Sequence, residues 1–248
     1  MNLLKFRNNK YSQNGEDGVL EFIFQKIKKF LPDQKWCVEF GAWDGKHLSN
    51  TFNLVSQGWN AVYIEGDQEK FDDLLLTVKE WPKIRPINKF VSHEKDSKNR
   101  LEVLLGKTEI PTDYELLSID IDSYDLDLWM SYPGSPKVVV IEIDSKILPG
   151  IYRWYNGGTK DGNSFSSTLS VAKNKGYELV CHTGNMIFVR NDLVKEIGLD
   201  SKFLDYPEKL FIEDWLPKQE KVSFFIKLAR MLPSGIKQTI KKFLGNSK

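Results

Sequence analysis

The sequence predicts an α/β fold built on a mostly parallel sheet with an antiparallel edge. Three observations carry this. Short apolar runs alternate with stretches of helical periodicity over most of the chain. The run KVVVIEI (137–143) is β-branched throughout, as expected of a strand buried on both faces. YELVCHTG and NMIFVRND then form a strand pair joined through Thr183, Gly184 and Asn185, a hairpin signal.

The elements follow in order. EDGVLEFIFQKIKKF (16–30) has helical spacing and ends in lysines, which suit a helix C-terminus; LPDQ breaks it. WCVEF (36–40) reads as a buried strand, and HLSNTFNLVSQG (47–58) as a helix ended by Gly58. WNAVYIEG (59–66) is a strand. QEKFDDLLLTVKE (68–80) is a helix stopped before Pro82. IRPINKFVS (84–92) is a weaker strand, because Pro86 limits its ladder. SKNRLEVLLGK (97–107) is a helix, YELLSID (114–120) a strand, and LDLWMSY (126–132) a short helix. KVVVIEI follows, then the helix SSTLSVAKNKG (166–176) and the hairpin. Residues 1–198 thus form one domain. Residues 199–248 are a separate extension, punctuated by Pro207, Pro217 and Pro233 and ending in the basic amphipathic run VSFFIKLARMLPSGIKQTIKKFLGNSK.

The bulk numbers are those of an ordinary globular chain. It has 248 residues, 41% hydrophobic and 28% charged, with net charge +1. The neutral balance speaks against a nucleic-acid binder. Cys37 and Cys181 lie in apolar runs and read as buried free thiols in a reducing compartment; no Cys/His spacing suggests zinc. The N-terminus has no signal-peptide core, and no apolar run is long enough to span a membrane, so a cytoplasmic protein is expected.

Ligands of open α/β sheets bind beyond the carboxyl ends of the strands. Those ends read Glu39–Gly41, Glu65–Asp67, Ser92–His93, Asp120–Asp122 and Glu142–Asp144. Nearly every strand delivers a carboxylate, which folding does not need. The turn VEFGAWDG (38–45) is not a dinucleotide fingerprint. Counting from Gly41, the third position is Trp43 and the sixth Lys46, and Glu39 and Asp44 would flank two phosphates. No P-loop is present. S-adenosylmethionine fits better, because it has no phosphate and carries a sulfonium and an ammonium. Glu39 can accept from the ammonium, Gly41 lets the backbone approach the ligand, and Glu65 can take both ribose hydroxyls.

YSQNGEDG, VEFGAWDGKHLSNTFNL, GWNAVYIEGD, LLSIDIDSYD and VVVIEI together resemble the FkbM-type branch of class I S-adenosylmethionine-dependent methyltransferases, over roughly residues 11–195. The resemblance implies a seven-stranded Rossmann-like methyltransferase fold and methyl transfer, usually to oxygen. It implies that Glu39, Gly41, Asp44 and Gly45 form the cofactor turn and that Glu65, with Gly66 and Asp67 after it, takes the ribose. Ser92 and His93 fall where class I enzymes contact adenine, and Asp120 matches the acidic end of the fourth strand. The segment bearing Gln13 would fold over the methionine end of the cofactor. The insert LPGIYRWYNGGTKDGNSFSST departs from the general fold, so acceptor identity does not carry over. Its Trp154 and Tyr155 could stack on a sugar face.

Methyl transfer to a hydroxyl needs the acceptor placed in line and its proton removed. Asp120 and Asp122 share one strand face, and Glu142 and Asp144 another. Oxygen-only ligands suit Mg²⁺, with Asp120, Asp122 and Glu142 as the metal set; alternatively Asp120 contacts the cofactor and the others cap helices. Histidine bases are the other option among His47, His93 and His182, and His182 joins Asp120 and Asp122 as the catalytic candidates.

The acceptor expected is a small carbohydrate or other polyhydroxylated molecule, as in surface-glycan or secondary-metabolite biosynthesis. The tail packs on its own domain, packs on a second subunit as a homo-oligomer, or makes weak contact with an anionic membrane surface. Two rivals stand beside this. One is a nucleotide-sugar enzyme using Asp120–Asp122 as a metal-binding DxD; the other is a binding module without catalysis.

Overall fold

The computed structural model describes residues 1–158 and 162–216. Its centre is a sheet of seven strands: β1 (Trp36–Phe40), β2 (Asn60–Glu65), β3 (Ile84–Asn88), β4 (Leu116–Ile119), β5 (Val138–Ile141), β6 (Tyr177–His182) and β7 (Met186–Arg190). Their order is β3-β2-β1-β4-β5-β7-β6. The first five pair in parallel, while β7 runs antiparallel to both β5 and β6. This is the Rossmann-like class I methyltransferase fold, with the antiparallel edge hairpin the sequence predicts.

Helices cover both faces. α1 (Glu16–Lys26), α2 (Phe52–Ser56), α3 (Gln68–Glu80) and α7 (Val194–Ile197) bury apolar side chains with Cys37, Ala61 and Val138 on one face. α4 (Leu101–Leu105), α5 (Asp125–Ser131), α6 (Phe165–Asn174) and α8 (Ser201–Asp205) do so with Val38, Val62 and Val139 on the other. β5 explains its own composition. Val138 and Val140 enter one core, Val139 and Ile141 the other, and all four are fully buried.

The largest departure from expectation lies between β1 and β2. The helix predicted over 47–58 spans only Phe52–Ser56. Residues 49–51 instead donate to the Glu39 carboxylate, and short polar side chains of this kind compete with helical hydrogen bonding. At the other end of the chain, α8 and a 3-10 turn at Pro207–Leu210 bring Phe203, Leu210, Phe211 and Leu216 into the core shared with α5 and α6. Residues 217–248, which include the basic amphipathic run that begins at Val222, lie outside the described residues. Among those described, no helix is long and apolar enough to cross a membrane.

Candidate functional site

The carboxyl ends of β1, β2, β4 and β5 form one rim. Gly41 ends β1 with φ 78°, and a Cβ there would lie 1.8 Å from the Asp120 carbonyl oxygen. Only glycine lets the β1 turn pass this close to the end of β4. Glu65 links the next two loops. Its Oε2 accepts from the Trp43 N–H and its Oε1 from the Asp67 N–H, each at 2.9 Å. A carboxylate oxygen has a second lone pair, so a ribose hydroxyl can still be accepted there.

Other acids of the rim are spent on structure. Glu39 shares a strand face with Cys37, which α1 and α2 cover. It is buried, and it accepts from Ser49 Oγ (2.5 Å), Asn50 N (2.9 Å) and Thr51 Oγ1 (2.7 Å). Burial raises its pKa. Glu39 therefore braces the loop before α2, where sequence reasoning gave it the cofactor ammonium. Gly45 is also turned inward, since a Cβ would meet Leu74 at 2.8 Å and the Tyr63 ring at 3.0 Å. Asp44 accepts from the Lys46 and His47 N–H groups and closes its own turn. Asp67 caps α3 through Glu69 N and Lys70 N, both at 3.0 Å. Ser92 Oγ accepts from Glu94 N, and His93 lies against the Tyr124 ring at 4.8 Å.

Asp120, Asp122 and Glu142 do converge. Each offers an oxygen lying within 4.8 Å of the others. Asp122 is exposed and takes φ 56°, a left-handed conformation that aspartate tolerates better than most residues. Asp125 fixes this loop: its Oδ1 accepts from Ile121 N (2.8 Å) and its Oδ2 from Ser123 N (2.9 Å). Burial, then the charges of Asp120 and Asp122, push the Glu142 carboxyl far above its usual range, and burial also pushes Asp120 up. Like charges this close in a partly dry site share a proton. The oxygen-only set fits a hard divalent cation, which would replace that proton.

The three acids line a cleft of about 560 Å³ together with Gln13, Asn14, Asn163 and Trp215. The insert walls one side: Asp144 N–H donates to Asn163 O, Tyr155 N–H donates to Asn163 Oδ1, and Arg153 pairs with Asp144 at 3.5 Å. Tyr155 meets Tyr124 edge to face at 4.8 Å.

His182 does not serve this cleft as a base. Its Nδ1 accepts from the Ile212 N–H at 3.0 Å, so the ring proton sits on Nε2. Nε2 then donates to Ser145 Oγ (2.9 Å), and Ser145 donates to Gly184 O (2.8 Å). The ring is fully buried, stacks on Phe211, and is pushed down to about 3 by burial. Its catalytic assignment is corrected: it pins the 206–216 segment to the end of β6. His47 packs on Trp43, outside the cleft lining. Both cysteines are free and buried, as expected.

Sequence reasoning gave no role to Asp125, and it read Glu16 and Asp17 only as first-turn acids of α1. Glu16 is buried and accepts from Thr183 Oγ1 (2.7 Å), and Asp17 gathers the N–H groups of Lys10, Tyr11 and Ser12. These bonds fold the Gln13–Asn14 segment over the rim. The visible signal was a pair of acids at the start of a helix.

The sequence matches no protein-family model and no curated protein. Similar solved structures include WbdD, at 15% identity and TM-score 0.46 over 70% of this chain. That alignment spans 40% of WbdD, so the chain corresponds to less than half of that protein. The N-terminal domain of EvdMO1, solved with SAH bound, aligns at 9% identity and TM-score 0.40 over 72% of this chain and 80% of its own. The citrinin polyketide synthase CMeT domain aligns at 13% identity and TM-score 0.47 over 73% and 54%. The fold assignment stands on the strand order and not on these likenesses.

Proposed function

We propose that this protein is an S-adenosylmethionine-dependent methyltransferase of the FkbM type. Its acceptor is a hydroxyl of a carbohydrate or other polyhydroxylated small molecule, and Asp120, Asp122 and Glu142 hold a divalent cation such as Mg²⁺. The observation that carries the reading is the convergence of these three acids at the ends of β4 and β5. None of them pairs with a lysine or arginine among the described residues, and they stand beside the turn after β1, whose Gly41 packs against the Asp120 carbonyl.

S-adenosylmethionine would supply a methyl group on a sulfonium, and a divalent cation a Lewis acid that makes the acceptor hydroxyl more acidic. The chain's own residues do the rest. Gly41 and Glu65 hold the nucleoside end, and Gln13 and Asn14 close the cleft from above. Asp120 and Glu142 fix the acceptor side, where positioning contributes most of the rate. Asp122, the exposed member, takes the hydroxyl proton.

A nucleotide-sugar enzyme would share the metal, but the described cleft lining carries five carboxylates and a single lysine, Lys146. A diphosphate finds little to pair with there. Calorimetric titration with S-adenosylhomocysteine, with UDP-glucose and NAD⁺ as controls and with or without Mg²⁺, tests the reading. S-adenosylhomocysteine alone among the three should bind, and Glu65→Ala should weaken it about tenfold or more, as for a lost hydrogen bond to a charged group. Mg²⁺-dependent binding of UDP-glucose, with silence for S-adenosylhomocysteine, would overturn it.

A further inference from the structure

The segment that follows the seven-stranded domain returns to the cleft. Phe203, Leu210, Phe211 and Leu216 enter the apolar core, whereas Trp215 lies half-buried in the cleft wall. Its indole is the only aromatic ring of the described lining, which is otherwise mostly acids, amides and glycines. The ring is held from three directions. A Cβ built on Gly184, in the turn between β6 and β7, would lie 2.8 Å from Trp215 Cζ2, 2.9 Å from Cη2 and 3.0 Å from Asn14 Nδ2. The indole edge and Asn14 thus meet over a bare glycine. Arg7 Nε donates to Asn14 O at 2.7 Å, and Arg7 Nη1 stands 3.7 Å from Asp214 Oδ2, one residue before the tryptophan. The His182 ring lies 6.0 Å from the indole and accepts from the Ile212 N–H of the same segment. Burial of apolar surface does not account for Trp215, since its neighbours fill the core and its own ring borders a polar cleft.

We propose that Trp215 is the platform on which the ring of a carbohydrate acceptor rests. The inference rests on the methyltransferase reading and adds to it a residue that selects the substrate. The order of the strands separates the two ligands. β7 runs antiparallel to β5 with Met186 opposite Ile141, so the β6–β7 turn lies on the same rim as the carboxyl ends of β2, β1, β4 and β5. On that reading Glu65 and Gly41 hold the nucleoside at β2 and β1, Asp120 and Glu142 follow at β4 and β5, and Trp215 stands over Gly184 beyond them. A group resting on Trp215 faces the nucleoside across the acids, which is the acceptor's position. A pyranose has hydroxyls around its edge and C–H bonds on its faces. The indole covers a face while the acids and amides of the cleft take the hydroxyls. Trp154 and Tyr155, the aromatic residues that sequence reasoning offered for this contact, are not in the cleft lining. The segment carrying Trp215 is then part of the site and not only an extension.

The test is a ligand-observed NMR titration in the presence of S-adenosylhomocysteine and Mg²⁺. The probes are the methyl pyranosides of glucose, galactose, mannose and rhamnose, with erythritol as an open-chain polyol that has no ring face. The wild type should bind at least one pyranoside more tightly than erythritol. Trp215→Ala should weaken that pyranoside about tenfold, the size of a lost aromatic contact, and Trp215→Phe should retain most of the affinity. Trp215→Leu keeps apolar bulk without a flat face and should lose as much as Trp215→Ala, so the comparison stands even if the alanine variant does not fold. Affinity for S-adenosylhomocysteine should stay close to wild type in all three variants, which a general loss of structure would not allow. Three results would overturn the platform. One is a wild type that binds S-adenosylhomocysteine but prefers no pyranoside to erythritol. Another is undiminished pyranoside affinity in Trp215→Leu. The third is a loss of S-adenosylhomocysteine affinity in Trp215→Leu, which would place the ring on the cofactor. Failure of the wild type to bind S-adenosylhomocysteine at all would instead overturn the methyltransferase reading, and this inference with it.

Discussion

The β4–β5 pair has acids at both ends, and the two ends treat them differently. At the amino ends, Lys137 is buried with its Nζ 2.9 Å from Asp113 Oδ2 and 3.2 Å from Glu115 Oε1. Arg190 meets the other oxygen of Asp113 at 2.7 Å, and Glu115 Oε2 accepts from Trp36 N. Every charge there has its partner within the chain. At the carboxyl ends, Asp120, Asp122 and Glu142 converge with no lysine or arginine pairing among the described residues, and a raised Glu142 keeps a proton in the cation's place. At the amino ends the acids that hold the fold together come with their cations, Lys137 and Arg190. Acids left to a proton are the ones an external cation can claim.

The largest effect that would test this contrast is at the amino end. Lys137→Met leaves Glu115, which is fully buried, without a counter-charge. Stability in urea should fall by about 3–5 kcal/mol, and Glu115→Gln in the same chain should restore part of it. Glu142→Gln should act in the opposite sense. It removes an acid that the folded state already protonates, so stability should change by about 1 kcal/mol or less, while calorimetric Mg²⁺ affinity is lost. A Glu142→Gln variant as unstable as Lys137→Met would make both ends structural.

A smaller effect sharpens the same contrast through pH. Burial first, then Asp120 and Asp122, raise Glu142 in the folded chain above its unfolded value. The folded state therefore binds this proton more tightly. Its contribution favours folding at low pH and is lost as pH rises from the ordinary carboxylate range toward the raised value. A cation competes with that proton, so the rise in Tm on adding Mg²⁺ should be larger at about pH 8.5 than at about pH 6. Equal shifts at both would mean that no proton is displaced.

The fold was legible because its signals are local. The VVVI run, the glycine-marked hairpin and the β–α alternation each survive in the structure. The acidic trio was legible as acids at strand ends, but not for the reason of a shared strand face. β4 ends at Ile119, and it is the left-handed turn at Asp122, held by Asp125, that brings Asp122 to Asp120 and Glu142. What could not be read is where a strand-end acid points once its loop offers donors. Glu39 and Glu65 look alike in sequence. Ser49, Asn50 and Thr51 draw the first inward, and two backbone N–H groups hold the second at the rim. Nor does the sequence mark the left-handed backbone at Trp43, Leu48 and Asp122, because none of these is glycine. His182 misled because titratable residues near a hairpin turn can face either way. Its environment is made by Ile212 and Phe211, thirty residues on.

The smallest prediction separates two acids that stand two residues apart. Glu65 and Asp67 both follow β2, and both were expected to contact the cofactor. Asp67 instead spends one oxygen on the N–H groups of Glu69 and Lys70 in the first turn of α3. Removing an N-cap carboxylate exposes those groups to water and weakens the favourable interaction with the helix dipole. Asp67→Ala should therefore cost about 1 kcal/mol in a thermal melt. Its own N–H still reaches Glu65 Oε1, since that bond runs through the backbone and survives the substitution. Affinity for S-adenosylhomocysteine should stay within about twofold of wild type, an effect too small for a lost direct contact. A tenfold loss with an unchanged melt would assign Asp67 to the ligand and would extend the unpaired rim of acids from β4 and β5 across to β2.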